Sequence, residues 1–193
     1  MAIIRSILDT DLYKFTTSYA YSKLYPRAYG QFRFIDRAKT RYPEGFAELL
    51  RQELQQMAEL QLTRDEAQFL TRELPYLPPT YIDFVRGFRF DPDEVHVSQD
   101  EEGQLSIVAE GLLYRVTLWE TPILALVSEL YYKVLGVEPD LAYAEQSIIA
   151  KAQRLKEEGI TFSMFGMRRR FSSDIEDRVT RLLKEYSGTN FYG

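Results

Sequence analysis

The chain has 193 residues, of which 45% are hydrophobic and 27% charged, a balance typical of a folded globular protein. The formal net charge of -5 excludes an overall positive field for collecting nucleic acid. Without cysteine and with one histidine, the chain offers no disulfide, thiol nucleophile or Cys/His metal cluster. It also has no run of ~20 apolar residues and no signal-peptide pattern, so we expect a soluble, cytoplasmic protein with no membrane span.

Six residues near the start of the chain, Asp9 to Lys14, bring together two carboxylates, an aromatic ring and a lysine. Thr10 or Asp11 can cap a following helix by accepting hydrogen bonds from its first N–H groups, and capping alone would account for the acids. Tyr13 is either a core ring or a ring presented to a ligand, and the residues by themselves favour the core.

Two segments between residues 29 and 73 show strand and helix periodicities. Residues 29–35 alternate polar and aromatic side chains, which predicts a strand. From Gly45 onward, six apolar side chains recur at helical spacing and predict an amphipathic helix; they are Phe46, Leu49, Leu50, Leu54, Met57 and Leu60. Thr63 and Glu66 have the spacing of a capping box, which predicts a shorter helix that ends at the prolines of residues 75–79.

A hairpin is predicted for residues 95–109, because apolar and polar side chains alternate on both sides of a polar loop. His96 points away from the neighbouring valines in this pattern. We therefore predict an exposed strand histidine without an acidic partner, and not a catalytic one.

The remaining chain is led by helices. Residues 117–136 are apolar nearly all round a helix, which predicts a buried helix starting at Thr117 or Thr121, since Pro122 is tolerated only near the first turn. A second helix is predicted for residues 141–158. These changes of pattern predict two domains, residues 1–112 of mixed α+β type and residues 113–193 of helix-led α/β type.

Three consecutive arginines, Arg168 to Arg170, follow the apolar run of residues 160–165 and a Gly166 turn. Ser173 and Glu176 then have capping-box spacing and predict a further helix, so the order is that of a β/α repeat. A helix start beside guanidinium groups favours a phosphate or carboxylate. A solvated basic turn would give the same pattern, and both interpretations remain open at this point.

Three segments carry a family resemblance. "TDLYKFT" from Thr10, "TLWETPILALVSELYY" from Thr117 and "FGMRRRFS" from Phe165 resemble, in this order and at similar spacing, the nicotinate phosphoribosyltransferases. The likeness covers essentially the whole chain and is weakest between Tyr42 and Asp100.

The resemblance implies an activity and a fold. Nicotinate displaces pyrophosphate from phosphoribosyl pyrophosphate to give nicotinate mononucleotide in NAD biosynthesis, with Mg²⁺ accompanying phosphoribosyl pyrophosphate and ATP as co-substrate through a phosphorylated histidine. The implied fold is an α+β N-terminal domain followed by the start of an α/β barrel of the type II phosphoribosyltransferase kind. The implied assembly is a homodimer with the active site at its interface.

Nicotinamide phosphoribosyltransferase is an alternative, because that more distant family shares the tyrosine segment and the phenylalanine-glycine turn. It usually has glycine where Arg169 stands, which favours nicotinate as the base. A second alternative is a non-catalytic, dimerising domain that binds an anion.

The resemblance also assigns residues. Tyr13 and Phe165 would sandwich the pyridine ring, with the tyrosine supplied by the partner subunit as in the related nicotinamide enzymes. Arg168 would be the catalytic arginine, facing the substrate or its phosphates, and Arg37 loosely matches an arginine that contacts pyrophosphate, although a surface role at the end of a strand is favoured for it. Arg169 is expected to be a further substrate-binding residue, ranked below Arg168. Arg169 and Arg170 are also expected to tune the field or to pair with acids.

Family members continue beyond the point that matches Gly193, into a glycine-threonine-serine-asparagine stretch and the phosphorylated histidine. We therefore expect these 193 residues to be the N-terminal half of the enzyme. A barrel that begins at residue 160 cannot close within them, so we expect the 193 residues alone to be inactive.

Overall fold

The computed structural model describes residues 2–192, which divide into two compact units. Unit 1 extends to Val127 and unit 2 begins at Ser128. This division lies later in the chain than the domain boundary predicted between residues 112 and 113. The domain boundary stays a prediction. No helix within residues 2–192 is long and apolar enough to cross a membrane.

Unit 1 is a three-stranded antiparallel sheet with helices. Its elements are α1 (Tyr13–Leu24), β1 (Tyr29–Arg33), α2 (Phe46–Met57), α3 (Arg64–Glu73), α4 (Pro79–Gly87), β2 (Val95–Gln99), β3 (Leu105–Leu112), the short α5 (Leu113–Val116) and the first part of α6 (Glu120–Leu135). Both β1 and β2 pair with β3, so the strand order is β1-β3-β2. The predicted strand and hairpin are confirmed.

The core of unit 1 follows the predicted helical stripe of α2 with two exceptions, Leu49 and Leu60. Leu60 lies beyond Met57, the last residue of α2, and is half-buried. Phe46, Leu50, Leu54 and Met57 are buried, whereas Leu49 is exposed because it lies at the edge of that stripe. The sequence pattern did not indicate that the chain start joins this core. Three of its residues are buried there; they are Ile3, Ile4 and Ile7.

The prolines after α3 do more than end a helix. Pro79 is the first residue of α4, a helix that the proline-rich pattern led us to miss. Proline suits that position because its missing N–H would have no partner within the helix and its fixed φ already matches helical geometry. The aromatic residues of α4 pack into a chain of rings that includes Tyr81, Phe84 and Phe88.

Unit 2 is helical with one small parallel sheet. It contains the rest of α6, α7 (Leu141–Glu157), β4 (Phe162–Ser163), α8 (Ser173–Ser187) and β5 (Phe191–Tyr192). Strands β4 and β5 run parallel and α8 connects them, so the predicted β/α unit is confirmed. Helix α6 begins at Glu120, between the two predicted starts, and its last turn is exposed rather than buried all round.

One capping prediction is confirmed and one is shifted. Thr63 Oγ1 accepts from the Glu66 N–H and Glu66 Oε2 accepts from the Thr63 N–H, at 3.3 and 2.7 Å, so α3 starts with a complete capping box. Helix α8 is capped by Ser172, whose hydroxyl accepts from the Ile175 N–H, and not by the next serine in the chain.

We expect Thr63→Ala to lower the free energy of unfolding by about 1 kcal/mol, because it leaves helix N–H groups without an acceptor. Urea denaturation of the full-length protein, followed by circular dichroism, measures the change. Thr71→Ala is the matched control, since the Thr71 hydroxyl donates only to the Ala67 carbonyl within the same helix. Equal losses from the two substitutions would contradict the prediction.

Candidate active site

The start of α1 is held by α6 and not by a side-chain cap. The residue at the N-cap position is Leu12, so the predicted capping by Thr10 or Asp11 is wrong. Leu12 already has helical φ and ψ, and Asp11 instead accepts a hydrogen bond from the Thr121 hydroxyl at 3.0 Å. The acid therefore joins the chain start to the first turn of α6.

Lys14 is the second link to the same turn. Its side chain is buried, with 4% of the residue exposed, and its ammonium forms an ion pair with Glu120. Burial of a charge is costly without such a partner. The Lys14 ammonium also lies 5.0 Å from the centroid of the Tyr13 ring and 6.0 Å from that of Phe32.

The ring of Tyr13 is 45% exposed, so the core role that the residues alone favoured is wrong. A tyrosine in a core would bury most of its apolar surface. The ring lies beside a buried cation and keeps a large part of its surface accessible. This arrangement suits a ring presented to a ligand.

Arg37 lies on a braced loop after β1. Asp36 Oδ1 accepts from the Ala38 N–H and Asp36 Oδ2 accepts from the Thr40 N–H, each at 2.9 Å, and the Tyr42 hydroxyl donates to Oδ2 at 3.3 Å. Burial raises the pKa of Asp36, but these hydrogen bonds outweigh it and leave the pKa below its ordinary value. Arg37 itself is exposed.

The turn of unit 2 that carries the third segment of the resemblance presents a phenylalanine and two arginines. Phe165 is 67% exposed, and residues 167–169 form a 3₁₀ turn between β4 and α8. Within that turn Arg168 is half-buried and Arg169 is exposed. An exposed aromatic ring next to guanidinium groups is suited to bind a flat anion.

Arg170 has a different environment from its two neighbours. It is 3% exposed, and its Nε lies 3.2 Å from Oε2 of Glu129 on α6. The Ser128 hydroxyl donates to the Arg170 carbonyl at 2.9 Å, and Lys133 reaches the other Glu129 oxygen at 3.1 Å. Arg170 therefore anchors the turn, as one of the roles expected for it would require.

Glu176 packs behind the same turn. A β-carbon on Gly166 would lie 2.5 Å from Glu176 Oε1, so the carboxylate rests against the glycine backbone. Burial raises the pKa of Glu176, the positive charge of Arg170 lowers it and the negative charge of Asp177 raises it, with the net direction upward.

His96 is exposed, as predicted, but it has an acidic neighbour. Its Nε2 lies 3.3 Å from Glu110 Oε1, and Gln31 donates to the other oxygen of that carboxylate at 3.0 Å. Sequence reasoning missed this neighbour because Glu110 lies on β3, across the hairpin. The histidine belongs to a polar sheet face and not to the residues matched by the resemblance.

Sequence reasoning also missed the Lys14–Glu120 pair, which holds the Tyr13 segment in unit 1, and Glu129, which holds the arginine turn in unit 2. The available signal was the presence of two carboxylates within the long apolar helix, since acidic side chains are almost never buried unless they are paired. Their partners lie far away in sequence and could not be named from spacing.

The comparisons with known proteins decide the family. A family model described as the nicotinate phosphoribosyltransferase (NAPRTase) N-terminal domain matches residues 8–128, more than half of the chain. The chain belongs to the nicotinate phosphoribosyltransferase family. The match ends at residue 128, one residue beyond the end of unit 1, and it contains the segments of Tyr13 and Arg37.

Individual nicotinate phosphoribosyltransferases match the rest of the chain as well. The nicotinate phosphoribosyltransferase of Chromohalobacter salexigens is 41% identical over 192 residues, covering 99% of this chain and 49% of its own length. The crystal structure of the Porphyromonas gingivalis enzyme is 64% identical with a TM-score of 0.95, and the same shares are covered, 99% and 49%. The Vibrio cholerae enzyme is 27% identical with a TM-score of 0.85, covering 100% of this chain and 47% of that one.

This chain thus spans about half the length of the nicotinate phosphoribosyltransferases that it matches. The α+β N-terminal part and the family resemblance expected from the sequence are confirmed. The roles expected for Tyr13, Phe165, Arg168, Arg169 and Arg37 stay predictions.

We expect Arg170→Met to lower the free energy of unfolding by about 3 kcal/mol, because it removes one partner of a buried ion pair. Chemical denaturation of the full-length protein measures the loss. Arg178→Met is the control, since the Arg178 side chain of the Arg178–Glu145 pair is 61% exposed, and pairs that are open to water contribute about 1 kcal/mol or less. Similar losses from both variants would show that Arg170 is not an anchor.

We expect Glu176→Gln to raise Tm at pH 7. A carboxyl whose pKa is raised in the folded state favours folding when protonated, so stability is lost as pH rises above its ordinary value of 4.5. The gain from glutamine should shrink as pH falls toward that value, in Tm scans of the full-length protein from pH 4 to pH 7. Glu185→Gln, at an exposed position of the same helix, is the control.

Proposed function

We propose that the complete protein is a nicotinate phosphoribosyltransferase, which forms nicotinate mononucleotide and pyrophosphate from nicotinate and phosphoribosyl pyrophosphate in NAD biosynthesis. One observation carries the proposal furthest. The two aromatic residues at matched positions, Tyr13 and Phe165, are both well exposed, although rings of this size usually contribute to a core.

In this proposal, Tyr13 and Phe165 hold the pyridine ring of nicotinate between them, with the tyrosine supplied by the partner subunit of a homodimer. Stacking suits a flat substrate because it fixes the plane of the ring while leaving the ring nitrogen free to react. Holding that nitrogen beside the anomeric carbon removes most of the entropic cost of bringing two substrates together.

The arginines supply positive charge where the reaction develops negative charge. We propose that Arg168 faces the bound substrate from the anchored turn and stabilises the phosphates of the transition state, with Arg169 as a second contact. Arg37 is proposed to contact the departing pyrophosphate. Fixed positive charges of this kind stabilise a transition state more than mobile water does, because they are already oriented.

Mg²⁺ is proposed to accompany phosphoribosyl pyrophosphate, and ATP to act as co-substrate in the cytoplasm. The metal would neutralise part of the charge of the pyrophosphate oxygens as they leave. Within residues 2–192, no group of three His, Asp or Glu side chains is placed to hold a metal ion. The side chains proposed to face the pyrophosphate are basic, which fits a metal brought by the substrate.

The assay that tests the function uses the protein made from its complete gene, with phosphoribosyl pyrophosphate, Mg²⁺ and ATP. Nicotinate and nicotinamide are offered separately, and mononucleotide is detected. Product from nicotinate alone supports the proposal, and product from nicotinamide alone would indicate the related family. Product from neither base, with a folded protein, would favour a non-catalytic domain that binds an anion.

We expect Tyr13→Ala and Arg168→Ala each to lower kcat/KM by about 100-fold or more, the loss typical of removing one contact to a transition state. Tm should change little, because neither side chain is fully buried. Steady-state kinetics and Tm of the full-length variants measure both quantities. Tyr143→Ala and Arg154→Ala, at exposed positions of α7, are matched controls. A large fall in Tm without a specific loss of activity would contradict the prediction and indicate that Tyr13 and Arg168 have structural roles.

A further inference from the structure

A buried lysine lies directly beside the exposed Tyr13 ring. Neighbouring residues of a helix point in different directions, so Lys14 and Tyr13 do not meet by virtue of helical spacing. The Lys14 ammonium nevertheless lies 5.0 Å from the Tyr13 ring centroid, at a position set by its ion pair with Glu120. Helix α6 therefore determines where the Lys14 ammonium lies. The ammonium in turn contacts the Tyr13 ring.

A second contact holds the other side of the same segment. Thr121, the residue after Glu120, donates its hydroxyl to Asp11 at 3.0 Å. Two consecutive residues of α6 thus hold the two residues that flank the Leu12–Tyr13 pair. This clamp, formed by Asp11, Lys14, Glu120 and Thr121, lies wholly within unit 1.

Another lysine–tyrosine contact on α1 shows what is unusual here. The Lys23 ammonium lies 5.7 Å from the Tyr19 ring centroid, one helical turn away, on an exposed side chain. That geometry follows from spacing alone and is screened by water. Lys14 is buried, and water screens a buried cation less than an exposed one, so its attraction to the exposed Tyr13 ring is stronger than that of Lys23 to the Tyr19 ring.

We propose that Lys14 is a positioning residue, which holds the Tyr13 ring ready to stack on the pyridine ring of the substrate. The proposal rests on the proposed function and adds a determinant of base binding to it. A ring fixed before the substrate arrives loses less conformational freedom on binding. Lys14 acts through Tyr13 and touches no reacting atom, so its loss should weaken binding of the pyridine base and not of phosphoribosyl pyrophosphate.

The test uses the double variant Lys14→Met/Glu120→Gln in the full-length protein. Methionine keeps the length of the side chain, and glutamine avoids leaving a carboxylate without its cation. We expect the KM for nicotinate to rise about tenfold, between the effects of an exposed and of a fully desolvated cation–π contact, and the KM for phosphoribosyl pyrophosphate to stay within about twofold. The single variant Lys14→Arg keeps a cation opposite Glu120, so it should show little of this rise in the KM for nicotinate. Lys23→Met should leave both KM values unchanged.

A readout without turnover separates this proposal from the proposed function. Hydroxyl-radical labelling with mass spectrometry compares the labelling of Tyr13 with that of Tyr143 in wild type and double variant. A ring released from its position should be labelled more in the double variant, whether or not the protein catalyses the proposed reaction. Unchanged Tyr13 labelling, or equal changes in the two KM values, in a variant with near-normal Tm overturns the positioning role. An inactive wild type with increased Tyr13 labelling in the variant would refute only the function.

Discussion

Burial of a carboxylate without a cation is costly, and the largely apolar helix α6 carries one buried carboxylate, Glu129, and one half-buried carboxylate, Glu120. Within unit 1, Glu120 is paired with the buried Lys14. Within unit 2, Glu129 is paired with the buried Arg170. The cations that satisfy these acids come from the two segments that carry the family motifs. Each motif is thus held in place by an ion pair with one acid of α6, the first by Glu120 and the second by Glu129.

This requirement explains why the motifs mix residues of opposite burial. In the first motif a buried lysine follows an exposed tyrosine, and in the second a buried arginine follows arginines that lie on a turn. The buried member fixes the backbone, and its neighbours are then presented from a backbone that is held in place. A substrate-binding side chain on an unanchored loop would lose conformational freedom on each binding event.

Local patterns predicted the local structure well. The alternation of the hairpin and the capping box of α3 are encoded within a few residues, and both are confirmed. The stripe of α2 is confirmed as far as Met57, except at Leu49. Failures came where partners are distant in sequence or where one residue type has two uses. Pro79 starts α4, whereas the sequence pattern treated it only as a helix end, and Asp11 binds a threonine 110 residues away instead of capping its own helix. Burial of Arg170 and exposure of Tyr13 depend on tertiary packing, which spacing does not contain.

The loop of Arg37 is also held by an acid, Asp36, but there hydrogen bonds take the place of a buried cation. Asp36 is satisfied by hydrogen bonds from the loop itself, and its lowered pKa keeps it ionised to a more acidic pH than an ordinary aspartate. By linkage, a carboxyl with a lowered pKa in the folded state adds stability above its ordinary pKa and loses it as pH falls through the folded value. The loop is therefore held at the pH where the charged substrates exist. Tyr13, Arg37 and Arg168 each lie within two residues of a side chain in such a network. In each case, a paired or hydrogen-bonded acid holds the chain next to a side chain proposed to bind substrate. Of these side chains, Tyr13 and Arg37 are exposed and Arg168 is half-buried.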